Sequence, residues 1–129
     1  MACILIIDDD PELRDIMRRV LEGAGYTVLE ARTGREGLHH CQTSPIALVI
    51  TDMFMPDHDG VDLLRALQTC VPVPKIIAIS GGGRLRNRDA LVLARELGAN
   101  RVWQKPVSMI DLLTTVRVLL AGDGDASAR

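Results

Sequence analysis

Three short apolar or β-branched runs, each closing on a charged residue at a turn, constrain this 129-residue chain most. Ile4-Leu5-Ile6-Ile7 runs into Asp8-Asp9-Asp10, Leu48-Val49-Ile50-Thr51 into Asp52, and Arg101-Val102-Trp103-Gln104 into Lys105-Pro106. Continuous apolar runs of this length read as strands buried on both faces, which is the pattern of a parallel sheet covered by helices. In an open parallel sheet the carboxyl ends of the strands line one crevice, and ligands bind there. Such a fold gathers Asp8, Asp9, Asp52 and Lys105 at one mouth. Carboxylates beside one ammonium make a site for a hard, oxygen-loving cation next to a fixed positive charge.

Helical patterns alternate with the strands along the whole chain. Strand 1 is expected at about residues 3–7. Asp10-Pro11-Glu12 then supplies a cap, a first-turn proline and an acid near a helix N-terminus. Leu13, Ile16, Met17, Val20 and Leu21 follow at helical spacing, and Gly23 or Gly25 stops the helix. Tyr26 to Leu29 reads as strand 2, and Thr33-Gly34-Arg35-Glu36 as a capping box opening helix 2. Strand 3 is expected over Ile46 to Ile50, a turn over Asp57 to Gly60, and a short helix 3 from Val61. Lys75 to Ile79 reads as strand 4, ending at Ser80-Gly81-Gly82-Gly83. Helix 4 carries a stripe of Ala90, Leu93, Ala94 and Leu97. Strand 5 covers about 101–104, and Ser108 and Asp111 open a helix 5 that presents Met109, Leu112, Val116 and Leu120. Five β-α units in order predict a doubly wound five-stranded parallel sheet with five helices, an α/β fold. One domain is expected over residues 1–121, with 122–129 a disordered tail that has nothing to bury.

Composition narrows the function. A net charge of −2 gives no basic field for nucleic acid or membrane. Tyr26, Phe54 and Trp103 are the only aromatics, which weakens base stacking. No apolar run reaches membrane-spanning length, and strand 1 starts too early for a signal peptide, so a cytoplasmic location is expected. Cys3, Cys41 and Cys70 are far apart without CxxC spacing and read as three reduced thiols. No Walker pattern and no GxGxxG supports nucleotide binding, and His39, His40 and His58 form no zinc-ligand spacing. Arg84, Arg86 and Arg88 make a local basic run.

The remaining polar residues sit where chemistry needs them. Asp8, Asp9 and Asp52 repel one another unless a divalent cation joins them, and Mg²⁺ typically uses one or two carboxylates plus a phosphate. Asp10 reads instead as a helix cap. Lys105 can pair with Asp52 as a compact point charge, and a cis Lys105–Pro106 bond would aim it into the crevice. The Ser80 hydroxyl can donate to an anion, and Gly81 leaves backbone free to approach one.

These motifs together resemble the CheY-like receiver domain of bacterial two-component response regulators. The resemblance rests on Ile6-Ile7-Asp8-Asp9, on Thr51-Asp52-Met53-Phe54-Met55-Pro56 with Asp59-Gly60 after it, on Ile79-Ser80-Gly81 and on Gln104-Lys105-Pro106, and spans about residues 3–120. It implies that Asp52 accepts a phosphoryl group from a phosphohistidine of a sensor histidine kinase or histidine phosphotransfer protein. It implies Mg²⁺ (or Mn²⁺) on Asp9, Asp8, Asp52 and the Phe54 backbone carbonyl, and phosphoryl oxygens held by Ser80 and Lys105. The helix 4–strand 5–helix 5 face is the usual output or homodimer surface in that family, signalling to a downstream protein rather than to nucleic acid or membrane. Gly81, Leu91, Val92 and Val102 are the candidate switch and partner positions. Leu91 and Val92 fall off the helix 4 core stripe, and Val102 stands where the family often has an aromatic switch residue. Trp103 should point to the other sheet face. Such a domain is a signalling module rather than an enzyme. Two other readings use the same residues: a haloacid-dehalogenase-type phosphatase, and a receiver-like scaffold that is never phosphorylated. The phosphatase pattern wants Thr or Val where Glu12 stands, and all five polar residues of a working receiver are present.

Overall fold

The computed structural model describes residues 2–55, 58–81 and 92–128, with the side chains of 54–59 and 122–128 outside the description. Five strands, β1 (Cys3–Ile7), β2 (Thr27–Ala31), β3 (Leu48–Asp52), β4 (Lys75–Ser80) and β5 (Arg101–Gln104), form one sheet in the order β2-β1-β3-β4-β5. All four pairings are parallel. The helices are α1 (Pro11–Gly23), α2 (Gly34–Thr43), α3 (Gly60–Leu67), α4, of which 92–96 is described, and α5 (Met109–Ala128). The predicted α/β architecture is the one found. Chain order runs from β1 outward to β2, then returns across β1 to β3. The direction of winding therefore reverses between β1 and β3, and a crevice opens beyond their carboxyl ends.

The two-residue period of each strand divides the core between two faces. Ile4, Ile6, Leu48, Ile50, Ile77 and Ile79 point one way and pack with Met17 and Leu21 of α1 and Leu112 and Val116 of α5. Leu5, Ile7, Val49, Ile76 and Ala78 point the other way onto Leu63, Leu64 and Leu67 of α3 and Ala94 of α4. Central strands buried on both faces explain why their sequences are unbroken apolar runs. Each fully buried Ile or Leu contributes about 1.5–3 kcal/mol through removal from water.

The helix ends follow the sequence signals. Asp10 caps α1, accepting from the backbone N–H groups of Glu12 and Leu13, with Pro11 in the first turn. Thr33 caps α2 by accepting from Glu36 N–H at 3.1 Å, while the Glu36 carboxylate accepts from Arg32 N–H at 2.7 Å, one residue before the cap. Ser108 Oγ accepts from Asp111 N–H at 3.2 Å before α5. Two glycines mark close approaches. A Cβ at Gly37 would lie 2.3 Å from Ile7 Cδ1, so α2 rests directly on the last residue of β1. A Cβ at Gly60 would lie 2.6 Å from the Met53 carbonyl oxygen, so α3 begins against the residue that follows β3.

Some boundaries and faces differ from the sequence expectations. β2 starts at Thr27 and β3 at Leu48, each later than expected, because Tyr26 and Ile46 are apolar without being in the ladder. Ile16 and Leu93, expected in the core, are exposed: α1 and α4 bury a narrower stripe than apolar spacing alone implies. The residues Phe54–Met55 and His58–Asp59 form a small antiparallel ladder where a turn was expected. α5 continues through 122–128, past the domain boundary predicted at residue 121. Once a helix is nucleated, each added residue gains a backbone bond without needing a buried face. The expected roles of Gly82, Gly83, Arg84, Arg86, Arg88, Ala90 and Leu91 fall outside the described residues.

Candidate functional site

Asp8 is the first residue past β1, and three bonds fix it. Its N–H donates to the Ala31 carbonyl at 3.1 Å, extending the β1–β2 ladder by one residue. Its own carbonyl accepts from Arg14 Nη1 at 2.7 Å. Its Oδ1 accepts from Asp10 N–H at 2.9 Å. The two carboxylate oxygens are thereby divided. One is committed to the turn, and Oδ2 is buried without a hydrogen bond and faces the Lys105 ammonium at 3.4 Å. Asp9, next in sequence, is exposed at the rim.

Asp52 ends β3, level with Ile79 of β4, and is nearly buried. Its Oδ2 accepts from Lys105 Nζ at 3.0 Å. Lys105 follows β5, and its backbone N–H donates to the Ser80 carbonyl at 2.8 Å, which fastens the lysine to the end of β4. The Lys105–Pro106 bond is cis. Ser80 itself is fully buried, and Gly81 lies alongside the lysine stem, where a Cβ would stand 3.6 Å from Lys105 Cδ.

Burial pushes the Asp8 carboxyl above its ordinary value, and the nearby Asp52 charge adds to that. The Asp10 N–H and the Lys105 ammonium pull the other way without cancelling it. For Lys105, burial by itself would lower the value, but Asp52 and then Asp8 outweigh it and the ammonium is held above its ordinary range. A cation fixed between two carboxylates is therefore charged at neutral pH, while the Asp8 charge is kept at a cost.

Carboxylate oxygens of Asp8, Asp9 and Asp52 lie within 4.8 Å of one another. Three hard oxygen donors, one of them a buried oxygen with no hydrogen bond, fit a divalent cation such as Mg²⁺ or Mn²⁺. The structure thus brings together Asp8, Asp9, Asp52 and Lys105, with Ser80 and Gly81 adjoining through backbone. Phe54 is two residues past Asp52 and pairs with Asp59 in the small ladder. Val102 packs into the α3 side of the core and Trp103 into the α1–α5 side, so the two point to opposite faces as expected. Val92 is exposed on α4. Arg14 escaped the sequence reading. It bonds both the Asp8 carbonyl and, through Nε, Glu30 Oε1 at 2.9 Å, tying α1, the end of β1 and β2 together. The signal for it was its place one turn beyond Asp10, on the face of α1 turned to the sheet.

Known proteins resemble this chain in sequence and in fold. Residues 4–117 match the family model of the response regulator receiver domain. The transcriptional regulatory protein CpxR of Escherichia coli K12 is 34% identical over 120 residues, which is 93% of this chain and 50% of that protein. The KDP operon transcriptional regulatory protein KdpE of the same strain is 33% identical over 93% of this chain and 52% of its own length. The chain thus spans about half the length of the curated relatives it matches. A CheY-like receiver domain protein of Methanospirillum hungatei JF-1 superposes with a TM-score of 0.87 at 31% identity, covering 98% of each chain. The chain belongs to the response regulator receiver family, and its fold is CheY-like.

Proposed function

We propose that this receiver accepts a phosphoryl group on Asp52 from a phosphohistidine donor, a sensor histidine kinase or a histidine phosphotransfer protein. The observation that carries the reading is the Lys105 ammonium 3.0 Å from Asp52 Oδ2, with the carboxylates of Asp8 and Asp9 beside it. An Asp52 carboxylate oxygen attacks phosphorus in line, the P–N bond to the donor imidazole breaks, and the imidazole leaves as the neutral ring after taking a proton. Such transfers need positioning and charge neutralisation more than covalent help from the protein. Lys105 supplies a fixed positive charge to a phosphoryl oxygen, and the Ser80 hydroxyl supplies a donor. Asp8, Asp9, Asp52 and the Phe54 carbonyl would hold Mg²⁺ or Mn²⁺, which neutralises charge on the transferring group when bound.

The added charge is read through residues already tied to one another. Lys105 bonds the Ser80 carbonyl by its backbone and Asp52 by its side chain, so a phosphoryl group that recruits the ammonium also loads the β4–Gly81 junction. Val102 offers no aromatic ring to rotate, and we assign the switch to Ser80 and Gly81. The output surface is the α4–β5–α5 face, including the exposed Val92, and its partner is a protein target or a second copy of the chain. The domain signals rather than turning over a substrate, and a cytoplasmic location fits that role. Incubation with acetyl phosphate and Mg²⁺ followed by phosphate-affinity electrophoresis tests the assignment. A slower band that vanishes in Asp52→Asn supports it, and an undiminished band in that variant overturns it.

A further inference from the structure

The end of the sheet opposite Asp52 carries a second site, made of different chemistry. A cavity of about 370 Å³ opens at the amino ends of β1, β3 and β4, between the carboxyl ends of α2 and α3. All three cysteines of the chain line it, although they come from three separate elements: Cys3 from β1, Cys41 from α2 and Cys70 from the turn after α3. The rest of the wall is mainly apolar, with Ile46, Ala47 and Pro74 at the inner side. The volume falls in the range of small-molecule sites, and polarizable sulfurs suit an apolar guest. The cavity adjoins exposed apolar chain. Val71 is 96% exposed and Val73 is exposed as well.

The three sulfurs do not converge within 4.8 Å as the carboxylates at the other end do, so a preformed soft-metal centre is not what the cavity offers. A ligand that bonds to a single sulfur needs no such convergence. We propose that this cavity is a covalent modification site for small apolar electrophiles of the α,β-unsaturated carbonyl class, with Cys70 as the nucleophile. The Cys70 thiol loses its proton to solvent, and the sulfur forms a bond to the β-carbon of the guest. The C=C π pair moves to the enolate, and the α-carbon then takes a proton from water. The sum is addition of S–H across one double bond, with no oxidant or reductant.

Cys70 is assigned by the surroundings of the other two. Burial pushes the Cys41 thiol up to about 11, with the neighbouring Cys70 and Cys3 adding to it. Burial also raises Cys3. Burial disfavours the thiolate of both, and both serve as wall. Cys70 lies in the turn after α3, next to the almost fully exposed Val71, on the side of the cavity that adjoins exposed apolar chain. The site shares no residue with the Asp52 crevice, so it stands whether or not Asp52 is phosphorylated.

Two maleimides of like reactivity but different polarity test the proposal: N-phenylmaleimide and maleimidoacetic acid, each rate divided by that with glutathione. The reduced wild-type chain is expected to prefer the phenyl reagent by about tenfold over glutathione's own preference, the factor that burying one apolar ring supplies. Peptide mapping should place the first adduct on Cys70. Cys70→Ser should lose the fast phase, and Cys3→Ser and Cys41→Ser should keep it. Ala47→Met, which narrows the cavity, should bring the preference back toward glutathione's. A preference equal to glutathione's, a first adduct on Cys3 or Cys41, or a fast phase surviving in Cys70→Ser would each overturn the assignment. The wild-type measurement decides even if Ala47→Met fails to fold.

Discussion

The two ends of one parallel sheet have taken opposite solutions. At the carboxyl ends of the strands, Asp8, Asp9, Asp52 and Lys105 form a charged crevice whose groups are paired, capped or crowded. At the amino ends β1, β3 and β4 border an apolar cavity lined by thiols. β1 and β3 border both, so the difference lies in the residues that flank each run. Polar turn residues come after the apolar runs. Cysteines, prolines and alanines come before them. A perturbation that acts on charge should therefore be felt at one end, and one that acts on volume or sulfur chemistry at the other.

The hardest test of that division is Asp52→Asn. It should abolish phosphorylation by acetyl phosphate, a loss of at least two orders of magnitude read on phosphate-affinity gels, while maleimide labelling of Cys70 keeps its rate. A change at both ends would mean that the ends are coupled. Metal binding comes next. Asp9→Ala should weaken Mg²⁺ affinity strongly and Asp8→Ala less, as measured by calorimetric titration, because the Asp8 charge is already shared with the Lys105 ammonium. Equal affinity in Asp9→Ala and the parent would remove Asp9 from the ligand set.

A smaller effect should appear in stability without metal. The native Asp8 carboxyl titrates above its ordinary value of 3.8. The folded state then binds the proton more tightly than the unfolded state, so the Asp8 contribution favours folding at low pH. It is lost as pH rises from 3.8 through the raised native value. Asp8→Asn removes that dependence. Its melting temperature should exceed the parent's at pH 7.5 without Mg²⁺, and the gap should close on acidification. A gap independent of pH would show that crowding is not its source. Lys105 has its value raised too, so its contribution is complete below 10.5 and fades only as the pH rises through its native value, leaving this window undisturbed. The mildest change is Gly81→Ala, since a Cβ there meets Lys105 Cδ at ordinary contact distance. We expect a stability change within about 0.5 kcal/mol in denaturant melts, and a larger cost would mean that the lysine stem is more tightly packed than 3.6 Å suggests.

The crevice was legible in the sequence because Asp8 and Asp52 close apolar runs, Asp9 adjoins Asp8, and Lys105 follows the short edge strand β5. Position along a strand is a local property, and the fold class tells which strand ends share a side. The thiol cavity was not legible. Cys3, Cys41 and Cys70 share no spacing, and they meet only once α2 and α3 have been laid on one face of the sheet. Arg14 was missed for a related reason, since its bond to the Asp8 carbonyl depends on how α1 leans back over the turn. Leu93 and Ile16 were misplaced because apolar spacing marks a helical face without giving its width. Leu91, offered on that same reasoning, lies outside the described residues.

Gly37 touches none of the reacting groups, yet it sets where one of them stands. The missing side chain lets α2 settle on Ile7, and Ile7 shares its peptide bond with Asp8. Any larger residue at position 37 must lift either the helix or the end of β1, because Ile7 is fully enclosed and cannot swing aside. The carboxylate would move with the strand while every ligand kept its identity. Helix seating thus acts as a vernier on the spacing of the acidic trio, and receivers of the same donor set can differ in ion affinity through a position that never contacts the ion.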